Sequence, residues 1–218
     1  MGEAPAPRVR VRRLPARARY DRDTITAILD EGIVCHLGFV AGSTPYVLPT
    51  LYARIAGVLY LHGAPASRML RTAREAPEIC LTVTLLDGLV LARSAFHHSV
   101  NYRSVVVIGR ATEVRDQTEK LAAAMAMVEH VCRGRWGDAR QPTGGELRAT
   151  LILRMSLDEA SAKVRTGHPA DDEEDLGAPI WAGQLPLQTR VVEAVPDPCL
   201  DGAIAMPSYV QRYSRPGW

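Results

Sequence analysis

Ser67, Arg68 and Arg71 are the first residues whose types and spacing suit chemistry. They stand in the run LYLHGAPASRMLRTARE (59–75), where a β-rich stretch gives way to small residues and then to helical spacing. A serine at a helix start accepts a bond from the first turn, and the remaining free N–H groups make that end partially positive. That partial charge disfavours cations, so two arginines in the same turn call for an anion, and the group suits a phosphate. An ordinary serine cap with solvated arginines is the competing reading. A second constellation lies in SAFHHSVNYRSVVVIGRA (94–111). His97, His98, Asn101, Tyr102, Arg103 and Ser104 crowd donors and a ring at the entrance of an apolar strand. Such a cluster suits a planar heteroaromatic ligand with a polar edge, or the polar rim of a barrel. Neighbouring strand residues point to opposite faces, so His97 and His98 are not expected to share a metal ion, and no metal site is expected elsewhere.

Stepping outward, these residues need strands and short helices to hold them. Asp21 or Asp23 caps a short helix whose apolar face is Ile25, Ile28 and Leu29, and Gly32 stops it. IVCHLGFV (33–40), YVLPTLYARI (46–55) and VLYLHG (58–63) read as an antiparallel meander, with Pro49 marking an edge or a bulge. EICLTVTLL (78–86), a hairpin turn at Asp87–Gly88, LVLARS (89–94) and the long run 101–114 follow. Asp116 and Glu119 open a helix with Leu121, Ala124, Met125, Val128 and Val131 as its apolar face. Residues 133–146 read as a loop, 148–165 as one or two closing strands, and the acidic run 171–175 as a solvated loop. Many short strands with a few helices between them argue for a small barrel rather than a doubly wound sheet.

The 218 residues carry a net charge of only +2, which excludes a strong global field for nucleic acid or membrane. No apolar run reaches the roughly 18 residues of a membrane span, and no secretory leader is evident, so a cytoplasmic protein is expected. Cys35, Cys80, Cys132 and Cys199 form no CxxC pair, and Cys35 and Cys80 read as small buried hydrophobes. The first 22 residues hold seven arginines against Glu3 and Asp21. They read as an arm packed over a partner subunit, with a transit segment and a nucleic-acid tail as alternatives.

The succession LYLHGAPASRML, then HHSVNYRSVVVIGRA, resembles one branch of the pyridoxamine 5′-phosphate oxidase-like superfamily, that of the nitroimidazole-resistance flavoproteins. The resemblance spans about residues 20–190; NYRSV…G is its most specific element, and KVRTG…WAGQLP (163–186) is also similar. It implies a mainly β fold, a six- to eight-stranded antiparallel split β-barrel with two to four helices. It divides the chain into an Arg/Pro-rich arm (1–20), the barrel domain (21–190) and a C-terminal tail (191–218). It also implies a homodimer with one flavin mononucleotide (FMN) in each of two interface clefts, acting as an oxidoreductase on a small planar or aromatic substrate. Ser67 and Arg68, with Arg71 nearby, match the phosphate site. Val47, Leu48, Pro49 and Thr50 match the strand beside the isoalloxazine, and Tyr60 and Leu61 the approach to the ribityl chain. Asn101, Tyr102, Arg103 and Ser104 match the strand that meets the flavin across the interface. His62 matches a histidine facing the active site and is the expected proton donor, with Arg103 stabilising charge on the reduced ring. Trp181 and Arg165 are loose counterparts of C-terminal residues of the true oxidase, which puts oxidation of pyridoxamine phosphate in doubt. Three alternatives stay open: a haem-binding split barrel with His62, His97 or His98 as ligand, an enzyme using the deazaflavin F420, and a structural dimer with an empty cleft.

Overall fold

The computed structural model describes residues 6–215 and 217. In chain order its elements are β1 (Ala18–Arg19), α1 (Arg22–Glu31), β2 (Val34–Ala41), β3 (Thr44–Leu51), β4 (Ala53–Ile55), β5 (Val58–Gly63) and α2 (Arg68–Glu75). Then come β6 (Ile79–Leu91), β7 (Ser99–Gly109), β8 (Ala111–Glu113), α3 (Gln117–Val131), α4 (Arg135–Asp138) and α5 (Gly144–Arg148). The chain closes with β9 (Leu151–Ser156), β10 (Ala160–Arg165), β11 (Gly183–Pro186) and α6 (Ser208–Gln211). The larger sheet runs β1-β10-β7-β6-β2-β3 with β11 on β6, and the smaller runs β4-β5-β9-β8. Every pairing is antiparallel. Seven strands have six residues or more and three helices have eight or more, so the expected mainly β split barrel is what forms.

Local chemistry explains the first helices. The Asp21 carboxylate accepts from Thr24 N at 2.8 Å, and Ile25, Ile28 and Leu29 bury the face that the spacing sets aside. Tyr52 then divides what the sequence presents as one strand, 46–55, into β3 and β4 in different sheets. Its ring is buried, and its hydroxyl donates to the Leu29 carbonyl at 2.5 Å, with the Gly32 carbonyl 3.1 Å away. The expected meander therefore folds over onto itself. β3 ends the larger sheet, so Pro45 and Pro49 cost no ladder bond on its open side.

Further expectations are corrected. Asp87–Gly88 is not a hairpin turn: β6 runs through it, both halves pair with β7, and the register shifts between Leu86 and Gly88. Asp87 is the extra residue of a bulge, and Gly88 admits β11, because a Cβ there would stand 3.0 Å from the Leu185 carbonyl oxygen. The buried residues of α3 are Lys120, Ala123 and Met127, while Leu121, Met125 and Val131 are exposed. The cap is as expected, with Asp116 accepting from Glu119 N at 2.8 Å. Within 133–146 lie α4 and the start of α5, the latter opened by a capping box between Thr143 and Glu146. Nor is the acidic run simply solvated. The Asp171 carboxylate, fully buried, accepts from Arg93 N at 2.9 Å and pairs with the Arg93 guanidinium at 3.0 Å, and Asp172 lies 3.1 Å from His97 Nε2.

The main core lies between the sheets under α1 and α2, built on Leu29, Leu37, Leu61, Leu81, Val105 and Leu153. A second cluster, Ala53, Tyr60, Val114, Ala123, Met127 and Ile152, fills the space between the smaller sheet and α3. Strand β5 is sandwiched between the two, which is why Leu59, Tyr60 and Leu61 are buried in succession. Cys35 is buried as expected, but Cys80 is exposed on the outer face of the larger sheet. The N-terminal arm docks on its own barrel: Arg8 pairs with Glu78 and Glu159, Val9 is buried, and β1 extends the sheet beside β10. Residues 1–5 of the arm lie outside the described residues.

Candidate functional site

Ser67 stands where β5 hands over to α2, and its hydroxyl caps the helix, accepting from Leu70 N at 3.4 Å. The corner depends on Gly63, since a Cβ there would lie 2.9 Å from Cδ1 of buried Leu70, the residue that seats α2 on the core. Arg68 and Arg71 leave this first turn into solvent, and among the described residues neither guanidinium meets a carboxylate. Arg68 lies over the Tyr46 ring, 4.4 Å from its centroid, which ties α2 to the edge strand β3. The expected group of a serine cap and two uncompensated arginines is thus assembled at one exposed corner.

Alternation divides the other candidates. Leu48 and Thr50 face inward opposite Leu37 and Cys35, while Val47 and Pro49 point outward on the exposed edge. Leu61 is in the main core, and Tyr60 donates its hydroxyl to Glu119 at 3.0 Å beneath α3. His62 is half-buried, and its Nδ1 is buried without a hydrogen-bond partner. Burial holds its imidazole below the ordinary value, so the ring is neutral at neutral pH. His98 Nδ1 lies 3.1 Å from the Ser94 carbonyl, and His97 is taken by Asp172.

The Asn101–Ser104 cluster is likewise divided. Tyr102 and Ser104 pair across the sheet with Leu86 and Thr84 on its outer side, whereas Arg103 turns into the barrel end. There its guanidinium makes a fork with Asp87, at 3.0 and 2.7 Å, and a second fork with Glu31, one arm of which is 2.8 Å. Hydrogen bonds to Asp87 and then to Glu31 raise its pKa further above the usual arginine range. Both its faces are occupied, so this cation is spent on closing the barrel under the end of α1. Asn101 is buried and donates to Gln184 at 2.7 Å and to the Gly167 carbonyl at 3.3 Å, while accepting from Arg165. Arg165 is itself buried, with only neutral acceptors around it. Trp181 is 66% exposed and lies across Gly183, where a Cβ would come within 2.9 Å of the indole.

Partners distant in the chain were invisible in the sequence: Glu31 for Arg103, Glu119 for Tyr60 and Gln184 for Asn101. The bulge at Asp87–Gly88 was the one local signal, and it resembled a turn. A cavity of about 1010 Å³ also opens between the end of α1, α3 and the C-terminal strap, lined by Asp30, Arg54, His130, Arg133, Tyr209 and Arg212. It contains none of the candidate cofactor or catalytic residues read from the sequence, and its Arg54 is already paired with Asp30. The Ser67 corner, with its uncompensated cations, has the stronger claim to a ligand.

Barrel, corner and strand order define a class, the flavoprotein-type split barrels. A family model described as pyridoxamine 5′-phosphate oxidase matches residues 21–164, and the chain belongs to that family. Among solved structures, the flavocytochrome Anf3 from Azotobacter vinelandii is similar over 98% of this chain and 100% of its own, at 39% identity and a TM-score of 0.92. The FAD and haem binding protein from Mycobacterium smegmatis is 30% identical, covers 89% of this chain and 96% of its own, and has a TM-score of 0.85. A Bacteroides thetaiotaomicron protein described in terms of 5-nitroimidazole antibiotic resistance shares the fold at 22% identity and a TM-score of 0.57, over 67% of this chain and 86% of its own. No curated protein matches.

Proposed function

We propose that this protein is a flavin-dependent oxidoreductase of the flavocytochrome kind, a cytoplasmic homodimer that binds a flavin by its phosphate at the Ser67–Arg68 corner and also takes a haem. The likeness to a flavocytochrome over nearly the full length of both chains carries the reading, joined by the likeness to a protein named for FAD and haem. The residues present fit the flavin. Ser67, Arg68 and Arg71 offer a capped helix start and two uncompensated guanidiniums for a phosphate, and Val47 and Pro49 offer an apolar edge for a ring. The resemblance implies FMN. FAD is the second reading, favoured by the mycobacterial protein's name and by the second arginine, which suits a second phosphate.

A bound flavin supplies hydride or single-electron chemistry, and a haem single-electron exchange. The chain's own residues hold and orient. Arg68, steadied by Tyr46, meets the phosphate charge, and Val47 and Pro49 keep water from one side of the ring. His62 is the candidate haem ligand: among His62, His97 and His98 it alone makes no hydrogen bond, and its lowered pKa presents a neutral imidazole. The same shift makes it a poor proton donor at neutral pH. Arg103, paired twice inside the barrel, leaves charge on the reduced ring to other donors. A small planar aromatic substrate fits an apolar cleft edge of this kind. The free cysteines suit a reducing compartment.

The visible spectrum of the purified, unreconstituted protein tests the reading: flavin bands together with a Soret band are expected, and a colourless protein would sink it. Arg68→Ala is expected to weaken flavin binding by about tenfold or more, the worth of one charge-assisted hydrogen bond. His62→Ala is expected to remove the Soret band and spare the flavin.

A further inference from the structure

Residues 187–206 form an arm whose ends are pinned and whose middle hydrogen-bonds only within itself among the described residues. At one end β11 lies along Gly88–Leu91 of β6, and Leu187 N donates to the Asp87 carbonyl at 3.0 Å. At the other, Tyr209 donates to Asp138 at 2.7 Å and Tyr213 to the Val131 carbonyl at 2.6 Å. Between them, residues 188–205 make no hydrogen bond to the rest of the described chain. Their path is nonetheless shaped. The Asp197 carboxylate accepts from Cys199 N at 2.7 Å and that of Asp201 from Ala203 N at 2.9 Å, two side-chain turns in succession. A shaped segment normally spends its apolar side chains on its own core. Here Val192 is 84% exposed and Val195 87%, with Val191, Leu200 and Ile204 half-exposed.

A second uncovered apolar surface lies on the outer face of the larger sheet, at Val34, Val40, Leu51 and Leu86. One chain leaves both surfaces wet. Under a two-fold axis the arm of each copy can cover the sheet of the other, so one contact made twice removes both from water. The arm also lies beyond the family model, which ends at residue 164, while the likeness to the flavocytochrome covers 98% of this chain.

We infer that residues 187–206 are an exchanged arm that packs across the outer sheet face of a second copy of this chain. The inference deepens the proposed dimer and rests on that part of the reading, not on the cofactors. The arm leaves from β11, beside Asn101 and the strand whose Tyr102 and Ser104 face outward.

The test uses the full chain with a photo-crosslinking phenylalanine analogue at position 192, in dimers mixed from light and heavy isotope-labelled protein. Crosslinks joining light to heavy chains, at peptides within 34–51 or 80–86, are expected. A companion variant, Val192→Asp with Val195→Asp, is expected to raise the dimer dissociation constant at least tenfold in sedimentation equilibrium, with unchanged melting of the monomer. Crosslinks confined to one chain, a dimer indifferent to both aspartates, or a wild-type chain that stays monomeric would each overturn the inference. A colourless protein that still gives light–heavy crosslinks would sink the cofactor reading and leave the arm in place.

Discussion

At the scale of single residues, a charged side chain is read by its partners, and those are set by the fold. Arg103 sits in the most functional-looking run of the chain, yet Glu31 and Asp87 hold it from both sides. Arg103→Met strands Glu31, which is 7% exposed, and is expected to cost roughly 2–3 kcal/mol in urea unfolding, somewhat below the usual figure for breaking a buried pair because Asp87 reaches water. The spectrum of whatever cofactor the folded fraction binds should not change. An unfolding midpoint equal to wild type with an altered spectrum would return Arg103 to the cofactor. Ser67 was legible because a cap is local: three residues decide it. The fate of Arg103 was not, since Glu31 lies 72 positions away.

Among elements, α3 shows how pattern and packing part company. Its apolar spacing singles out Leu121, Met125 and Val131, but the smaller sheet takes the Ala123 and Met127 side. Small Ala123 lets the helix approach the sheet closely over Ala53, and Lys120 reaches across to donate to the Leu147 and Thr150 carbonyls at 3.2 and 2.9 Å. Ala123→Leu is therefore expected to cost about 1–3 kcal/mol by overpacking, and Leu121→Gln no more than about 0.5 kcal/mol. Chemical denaturation of the two variants checks the order, which is the reverse of what the hydrophobic spacing implies. By contrast, α1 was legible throughout, because Asp21, the Ile25–Ile28–Leu29 face and Gly32 all act within one helix length.

For the whole molecule, pH dependence should follow the buried histidines. Burial, reinforced by Arg215, keeps His130 below its ordinary 6.5, where its Nε2 donates to the Gly32 carbonyl at 2.7 Å. Burial does the same to His62. Below about pH 6.5 the unfolded chain takes up protons that the folded chain refuses, so stability falls as pH falls through that value and is level above it. Carboxylates held low, such as Glu146, pushed to about 2 by Arg140, add their loss only below about 4.5. Melting temperatures at pH 7.5 and 5.5 are expected to differ, and His130→Gln should narrow the gap; a flat profile for the wild type would refute the assignment. The sequence by itself determined the period-2 strands, the capped helix starts and the serine–arginine corner, because each depends on neighbours within a few residues. Only the tertiary structure decided that Tyr52 splits a strand between two sheets, that Asp87 bulges rather than turns, and which stripe of α3 is buried. Those outcomes depend on which surfaces the barrel brings into contact, and contact between remote segments is decided by packing and desolvation of the whole chain.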